Sequence, residues 1–353
     1  MNRSWRFFAL IVAAGTLATF PACGGAKTGK PKVAVITNCT DPFWDICQAG
    51  AMKGGEDFGV DVIFKQPADG SVDTQNKAID DILQLGIKGL AVSVIKPDAQ
   101  SKKLKNVAQD LPLNNFITMD NDAIETGRLC YVGADNYEAG KEAGRLVKKA
   151  IPNGGTIALF IGNMDSTNAK ARVAGVLSEL AGKDVRPEVE KGTFQDKYGD
   201  YMLHRKQPIT DDMKQDKAAQ NASDTLEQLN GTPNLCMVGL YAYNPAKILD
   251  AARKKDLVNK IKIVGFDEDL VTLDGIDKGE IVGSVSQDPF NYGYESVKWL
   301  AHIIKGGSKN ELPQKATPHS LITQDGKPIA GSSVKVLKAS EYAKTVSEAF
   351  KKK

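Results

Sequence analysis

Six separate stretches of this 353-residue chain end an apolar, β-rich run in a carboxylate, an amide or an aromatic pair. KVAVIT (32–37) runs into NCTDPFW, which brings Asp41, Phe43 and Trp44 just after it. NFITMD (115–120) ends in Asp120, followed by Asn121 and Asp122, and CYVGAD (130–135) ends in Asp135 before Asn136. LCMVGLY (235–241) leads into Ala242, Tyr243 and Asn244, KIVGFD (262–267) ends in Asp267, and IVGSVSQ (281–287) ends in Gln287. Carboxylates and amides accept and donate several hydrogen bonds to hydroxyl groups. A site built on such bonds rejects analogues that leave its buried groups unpaired. Flat aromatic faces such as Phe43 and Trp44 cover C–H surface and exclude water. Any one of these Asp or Asn residues reads equally well as a helix N-cap. All of them together point to a neutral, polyhydroxylated ligand.

The runs that carry these groups alternate with helical stretches. Strands are expected at 32–37, 61–64, 89–94, 115–120 and 130–135, with helices near 43–57, 72–85 and 97–109 between them. The rhythm restarts with a helix at 136–150, a strand at 156–162, a helix at 167–182 and a strand near 187–193. It continues through 213–229, 235–241, 245–255, 262–267 and 281–287 to a long amphipathic helix at 289–305. Strands apolar nearly throughout are those of parallel sheets covered on both faces. About ten β/α steps exceed one compact open sheet of usual size. The expected fold is therefore α/β, with two doubly wound parallel-sheet lobes and a ligand crevice at the carboxyl ends of their strands. The polar segment 195–210 is expected as a surface excursion.

Composition narrows the chemistry. Lys plus Arg (46) nearly balances Asp plus Glu (43), and the dispersed charge lacks the basic face of a nucleic-acid binder. The three histidines (His204, His302, His319) show no metal-ligand spacing, and no metal or cofactor is expected. A nucleophile elbow and a dinucleotide glycine loop are both missing, and no catalytic residue is assigned. Asp120 and Asp267 would be the acid–base pair of a weaker, glycoside-hydrolysing alternative.

Residues 1–22 read as an export signal. Arg3 and Arg6 precede the apolar run Phe7–Phe20, whose 14 residues fall short of the roughly 20 that span a bilayer. The run FPAC, ending at Cys23, resembles a bacterial lipobox, which implies lipidation of Cys23 and a membrane-anchored location outside the cytoplasm. Loss of 1–22 takes the net charge from +3 to +1. GGAKTGK (24–30) reads as a tether; Pro31 stands where a phosphate-binding loop needs Ser or Thr. Cys39, Cys47, Cys130 and Cys236 match no disulfide scaffold by spacing, and their pairing is open.

The ordered set DPFW (41–44), ITMDND (117–122), YVGADN (131–136), NAKARVAGV (168–176), YAYN (241–244), IVGFD (263–267) and SVSQDP (284–289) resembles the periplasmic sugar-binding proteins of bacterial ABC importers, in the ribose-binding-protein-like group. The likeness covers most of 31–305. It implies the type I periplasmic binding fold, with three crossovers near 134, 287 and 315. The first lobe is then 31–133 plus about 288–315, the second 134–287 plus about 316–340, and 341–353 a C-terminal tail. It also implies a monomer that captures a monosaccharide by hinge closure and hands it to a membrane permease, with presentation to a chemoreceptor or sensor kinase as the alternative. Contact with the membrane is then through the lipid anchor alone. Position by position, the resemblance assigns ligand contact to Asp41, Phe43, Trp44, Asp120, Asn244, Asp267 and Gln287, with Asn121 and Lys170 where relatives place arginines. Ser93 and Asn136 are implied as further contacts, and Asp212 or Met213 lies nearest the missing stacking aromatic. Arg172 matches a recurring arginine and is expected mainly to pair on the helix surface.

Overall fold

Helices cover both faces of the central strands, which is why those strands carry so few polar side chains. The computed structural model describes residues 29–351; the signal segment, Cys23 and most of the tether lie outside the described residues. The first unit comprises β1 (Lys32–Ile36), α1 (Pro42–Phe58), β2 (Asp61–Lys65), α2 (Val72–Leu83), β3 (Leu90–Val92), α3 (Pro97–Asp110), β4 (Phe116–Met119) and β5 (Tyr131–Val132). The second begins with α4 (Asn136–Ala150), β6 (Gly155–Ile161), α5 (Thr167–Ala181), α6 (Arg186–Glu190), β7 (Lys197–Tyr198), β8 (Tyr201–Leu203) and β9 (Ile209–Thr210). It continues with α7 (Gln215–Gln228), β10 (Leu235–Gly239), α8 (Tyr243–Lys254), β11 (Lys262–Phe266), α9 (Leu270–Asp277) and β12 (Gly283–Ser286). Then α10 (Pro289–Ile304) returns to the first unit, while β13 (Ser320–Thr323), β14 (Lys335–Lys338) and α11 (Ala339–Lys351) complete the second.

The first sheet has the parallel order β2-β1-β3-β4-β5. In the second, β6 lies between β10 and the short strands β8 and β9, and β11 and β12 follow β10. Numbered within its own unit, that core repeats the order 2-1-3-4-5, extended by antiparallel β13 and then β14. Both lobes are thus doubly wound, and each has a switch point beside its first strand, where ligands settle. Phe116, Ile79, Leu90 and Leu104 are fully buried in the first lobe, each contributing roughly 1.5–3 kcal/mol of burial. The chain passes between the sheets around 134, 287 and 317, where Ala134 pairs with Thr317 and Thr317 donates to the Gly133 carbonyl at 2.7 Å.

Three expectations change. The stretch near 187–193 starts as the short helix α6, opened by Pro187, instead of a strand. The excursion at 195–210 supplies β7, β8 and β9 to the second sheet, with Tyr198, Tyr201 and Leu203 in its core. The stretch 341–353, expected as a tail, is helical in its described part: α11 seats Ala339 and Val346 against the second core.

Candidate functional site

A cleft of about 430 Å³ opens between the two sheets, walled from both sides. The segment after β1 contributes Asn38, Cys39, Asp41, Phe43 and Trp44, and Asp120 follows β4. From the second lobe come Asn168 and Arg172 on α5, Met213, Tyr241 to Tyr243 after β10, Asp267 after β11 and Gln287 after β12. Asp120 and Asp267 leave their strands with φ of 55° and 69°, the left-handed conformation that Asp tolerates better than most residues.

Arg172 is the centre of this wall. Its guanidinium is buried and lies 3.7 Å from Asp120 of the first lobe and 4.0 Å from Asp267 of the second. Three N–H groups donate at 2.8 Å each, to Asn136 Oδ1, the Leu240 carbonyl and Gln287 Oε1. The Phe266 ring lies 4.2 Å beneath it. Gln287 in turn donates to Asp267 at 2.6 Å, and Ser93 donates to Asp120 at 2.8 Å. These bonds fix each group before a ligand arrives. Asn168 also bonds Asp120, and its buried Oδ1 has no protein partner.

Aromatic faces complete the cleft. Phe43 and Trp44 meet edge to face at 4.9 Å, and the Trp44 indole donates to Asn38. Across from them, Tyr241 bonds Ser166 at 2.9 Å and Tyr243 donates to Asp211 at 2.6 Å. Such a cleft can bond several hydroxyls while covering a flat C–H face.

Of the expected residues, Asp41, Phe43, Trp44, Asp120, Asp267, Gln287 and Met213 line the cleft. Arg172 lines it too, a correction to its expected place on the helix surface. Asn121, Asn136, Asn244, Lys170 and Ser93 lie outside the lining. Asn121 is a strap between lobes: its amide donates to the Val94 carbonyl and accepts from Thr167 at 2.6 Å and the Asn168 N–H at 3.0 Å. Asn136 holds Arg172 from behind, and Asn244 holds the Tyr241 turn while donating to Asp211. Lys170 is half-buried, turned away from the cleft because it sits two residues from both Asn168 and Arg172 on α5. Ser93 acts through Asp120. Asp135 is a helix cap, accepting from the N–H groups of Tyr137 and Glu138. Cys39, Cys47, Cys130 and Cys236 are free thiols, raised by burial above the usual cysteine range.

Burial raises the acids of this region: Asp41 and Asp211 to about 6, Asp267 to about 7 and Glu268 to about 8. A carboxyl raised in the folded state binds its proton more tightly there than in the unfolded chain. Its contribution to stability therefore falls as pH rises from its unfolded to its folded value. His204 and His319, lowered by burial, work the other way below about 6.5. From about 6.5 to about 8 the carboxyls are left alone, and the melting temperature of the ligand-free protein is expected to fall. Glu268→Gln should flatten that fall. A melting temperature that rises over this window contradicts the assignment.

The position of Arg172 depends on helix crossing. A Cβ at Gly140 of α4 would overlap the Arg172 carbonyl oxygen, and one at Gly175 would overlap that of Tyr137. Gly140→Ala is expected to cost about 1–3 kcal/mol by overpacking and to displace the guanidinium. Differential scanning calorimetry checks it; an unchanged melting temperature would show that α4 and α5 separate freely.

Comparison with known proteins agrees with this architecture. A family model described as "Periplasmic binding protein domain" matches residues 33–308. The D-allose-binding periplasmic protein of Escherichia coli (strain K12) is 24% identical over 340 residues, covering 92% of this chain and 100% of the relative. The ribose import binding protein RbsB of the same organism is 23% identical over 315 residues, covering 84% and 92%. Among solved structures, an ABC transporter solute binding protein from Burkholderia graminis C4D1M in complex with D-arabinose superposes with a TM-score of 0.73 at 24% identity, covering 85% of this chain and 98% of that one. One from Agrobacterium vitis bound with alpha-D-tagatopyranose gives 0.73 at 20% identity, covering 86% and 98%.

Proposed function

The chain belongs to the periplasmic binding protein domain family, and on that premise we propose that it captures a monosaccharide outside the cytoplasmic membrane and delivers it to an ABC permease. The observation that carries the reading is Arg172 spanning Asp120 and Asp267 from opposite lobes, beside the aromatic faces of Phe43 and Trp44. Hydroxyls of the sugar bond the carboxylates, Asn168, Arg172 and Gln287, and the ring's C–H face lies against the aromatic pair. The names of the Escherichia coli relatives support a sugar as the ligand class.

Both lobes contribute contacts, so the ligand favours the closed arrangement by differential binding. In this reading 31–133 with about 288–315 moves against 134–287 with about 316–340. Thr167 and the Asn168 N–H, bonded to Asn121, secure the closed form. The protein acts as a monomeric carrier with no catalytic step.

A thermal-shift screen of the purified protein against pentoses, hexoses, inositols, amino acids and nucleosides tests the ligand class. A ligand at 100 times its dissociation constant adds about 2.7 kcal/mol to the folded state, a rise of several degrees. A shift confined to one or two sugars supports the reading; a shift with amino acids or nucleosides instead overturns it. Anchoring through Cys23 is part of the same reading. Cys23→Ala is expected to move the protein from the membrane fraction to the soluble periplasmic fraction, and unchanged fractionation would contradict lipidation there.

A further inference from the structure

Met213 lies where the cleft meets solvent: it lines the cleft yet is only half-buried, between the exposed Asp212 and Lys214. It belongs to the second lobe, on the turn between β9 and α7, but its side chain reaches the first. A Cβ on Gly70, in the segment joining β2 to α2, would overlap Met213 Cε and lie 3.1 Å from its Sδ. On the near side, a Cβ at Gly162 would lie 3.1 Å from Met213 Cγ and overlap the Tyr241 ring. Two glycines, one from each lobe, thus leave a slot that the unbranched thioether fills.

The backbone is bent to place it there. Asp212 and Met213 both adopt left-handed conformations, with φ of 56° and 59°, which are costly for residues bearing a Cβ. Such strain persists where the surroundings over-determine it, and ligand clamps are among the places where it gathers. Here Asp211 is 1% exposed, and its carboxylate accepts from the Met213 N–H at 2.9 Å, Tyr243 at 2.6 Å and Asn244 at 2.9 Å. The N–H groups of Asp211 and Asp212 also donate to the Gly162 carbonyl, at 3.2 and 2.7 Å. Tyr243 is itself cleft wall, so the turn carrying Met213 is anchored from inside the site.

The lobes meet unevenly across the mouth. On one side Asn121 bonds Thr167 and the Asn168 N–H, and Lys96 pairs with Asp165 at 2.7 Å. Beside Met213, Gln215 Nε2 approaches Asp41 Oδ2 at 3.4 Å, long for a hydrogen bond. A thioether side chain swings on three rotatable bonds, so this side opens without breaking a short polar contact.

Resting on the sugar-binding reading, we propose that Met213 is the gate of the cleft. Seated on Gly70, its side chain closes the mouth over the bound sugar, and its swing away from Gly70 sets how fast the sugar enters and leaves. Met213 acts on exchange, while the groups that bond the hydroxyls act on recognition.

A covalent lock tests the contact. A Cβ on Gly70 falls 3.3 Å from Met213 Cβ, close to the roughly 3.5–4.5 Å of a disulfide. Gly70→Cys combined with Met213→Cys is expected to crosslink under oxidised glutathione, and peptide mass mapping separates that bond from pairing with Cys39 of the cleft. Stopped-flow fluorescence of Trp44 then follows exchange of the screened pentoses and hexoses. The crosslinked protein should exchange them about a hundredfold more slowly than the same protein after reduction. In Met213→Ala, uptake and release should both quicken by about tenfold. Melting curves confirm that both variants are folded. Release that quickens alone, with affinity lost in proportion, would make Met213 a sugar contact and overturn the gate. A crosslink that does not form, or that leaves exchange unchanged, overturns it while the sugar reading stands. If wild-type and reduced protein bind no pentose or hexose, the sugar reading itself fails and takes the gate with it.

Discussion

Arg172→Met is expected to abolish ligand binding and to lower the melting temperature more than any other single change in the cleft. The side chain is almost fully buried and satisfies Asn136, the Leu240 carbonyl and Gln287 together. Methionine fills part of the volume over Phe266 but leaves Asp120 and Asp267 facing each other without a cation. Removing one member of a buried charge cluster costs about 3–5 kcal/mol, because the remaining charges stay desolvated. Raised carboxyl pKa values would absorb part of that cost by protonation, so the variant should recover stability as pH falls toward 5. A denaturation series across pH, paired with titration of the bound sugar, measures both effects. A variant with near-wild-type melting and affinity would return Arg172 to the surface-pairing role expected from sequence.

Asp267→Ala has the opposite profile: a large loss of affinity with the fold kept. The carboxyl accepts from Gln287 at 2.6 Å and faces the cleft. A carboxylate that bonds ligand hydroxyls loses about 1.5–3 kcal/mol per bond when it is deleted. Two such bonds weaken binding by roughly two to four orders of magnitude. Stability should change little, since burial already disfavours the ionised form of Asp267 and its removal relieves that burden. Calorimetric titration decides: affinity within a few-fold of wild type would remove Asp267 from the site. The contrast between the two variants separates a group that holds the cleft together from one that reads the ligand.

Much of the site was legible because strand ends are legible. Apolar runs closing on Asp41, Asp120, Asp267 and Gln287 place those residues at the carboxyl ends of parallel strands, and the fold delivers them to one crevice. The helix α5 was harder. Asn168 and Arg172 are four residues apart and share a face, whereas Lys170 lies about 200° away from both. The spacing held that signal, but matching residue type by position selected Lys170 instead. Tyr241 was hidden differently: it reads as the last β residue of LCMVGLY, yet β10 stops at Gly239 and Tyr241 falls on the turn that Asn244 secures. Strands β7 to β9, of two or three residues each, are too short to show alternation. The strap function of Asn121 depends on a bond to Thr167, 46 residues away, which no local pattern encodes.

The most direct test of the account is the stoichiometry and selectivity of sugar binding by the wild-type protein in a calorimetric titration. The account predicts saturation at one sugar per chain for one or a few closely related sugars, with binding lost in Arg172→Met and Asp267→Ala. Saturable binding that both variants retain would place the ligand elsewhere, and saturation by amino acids or nucleosides with flat sugar titrations would contradict the account at its centre.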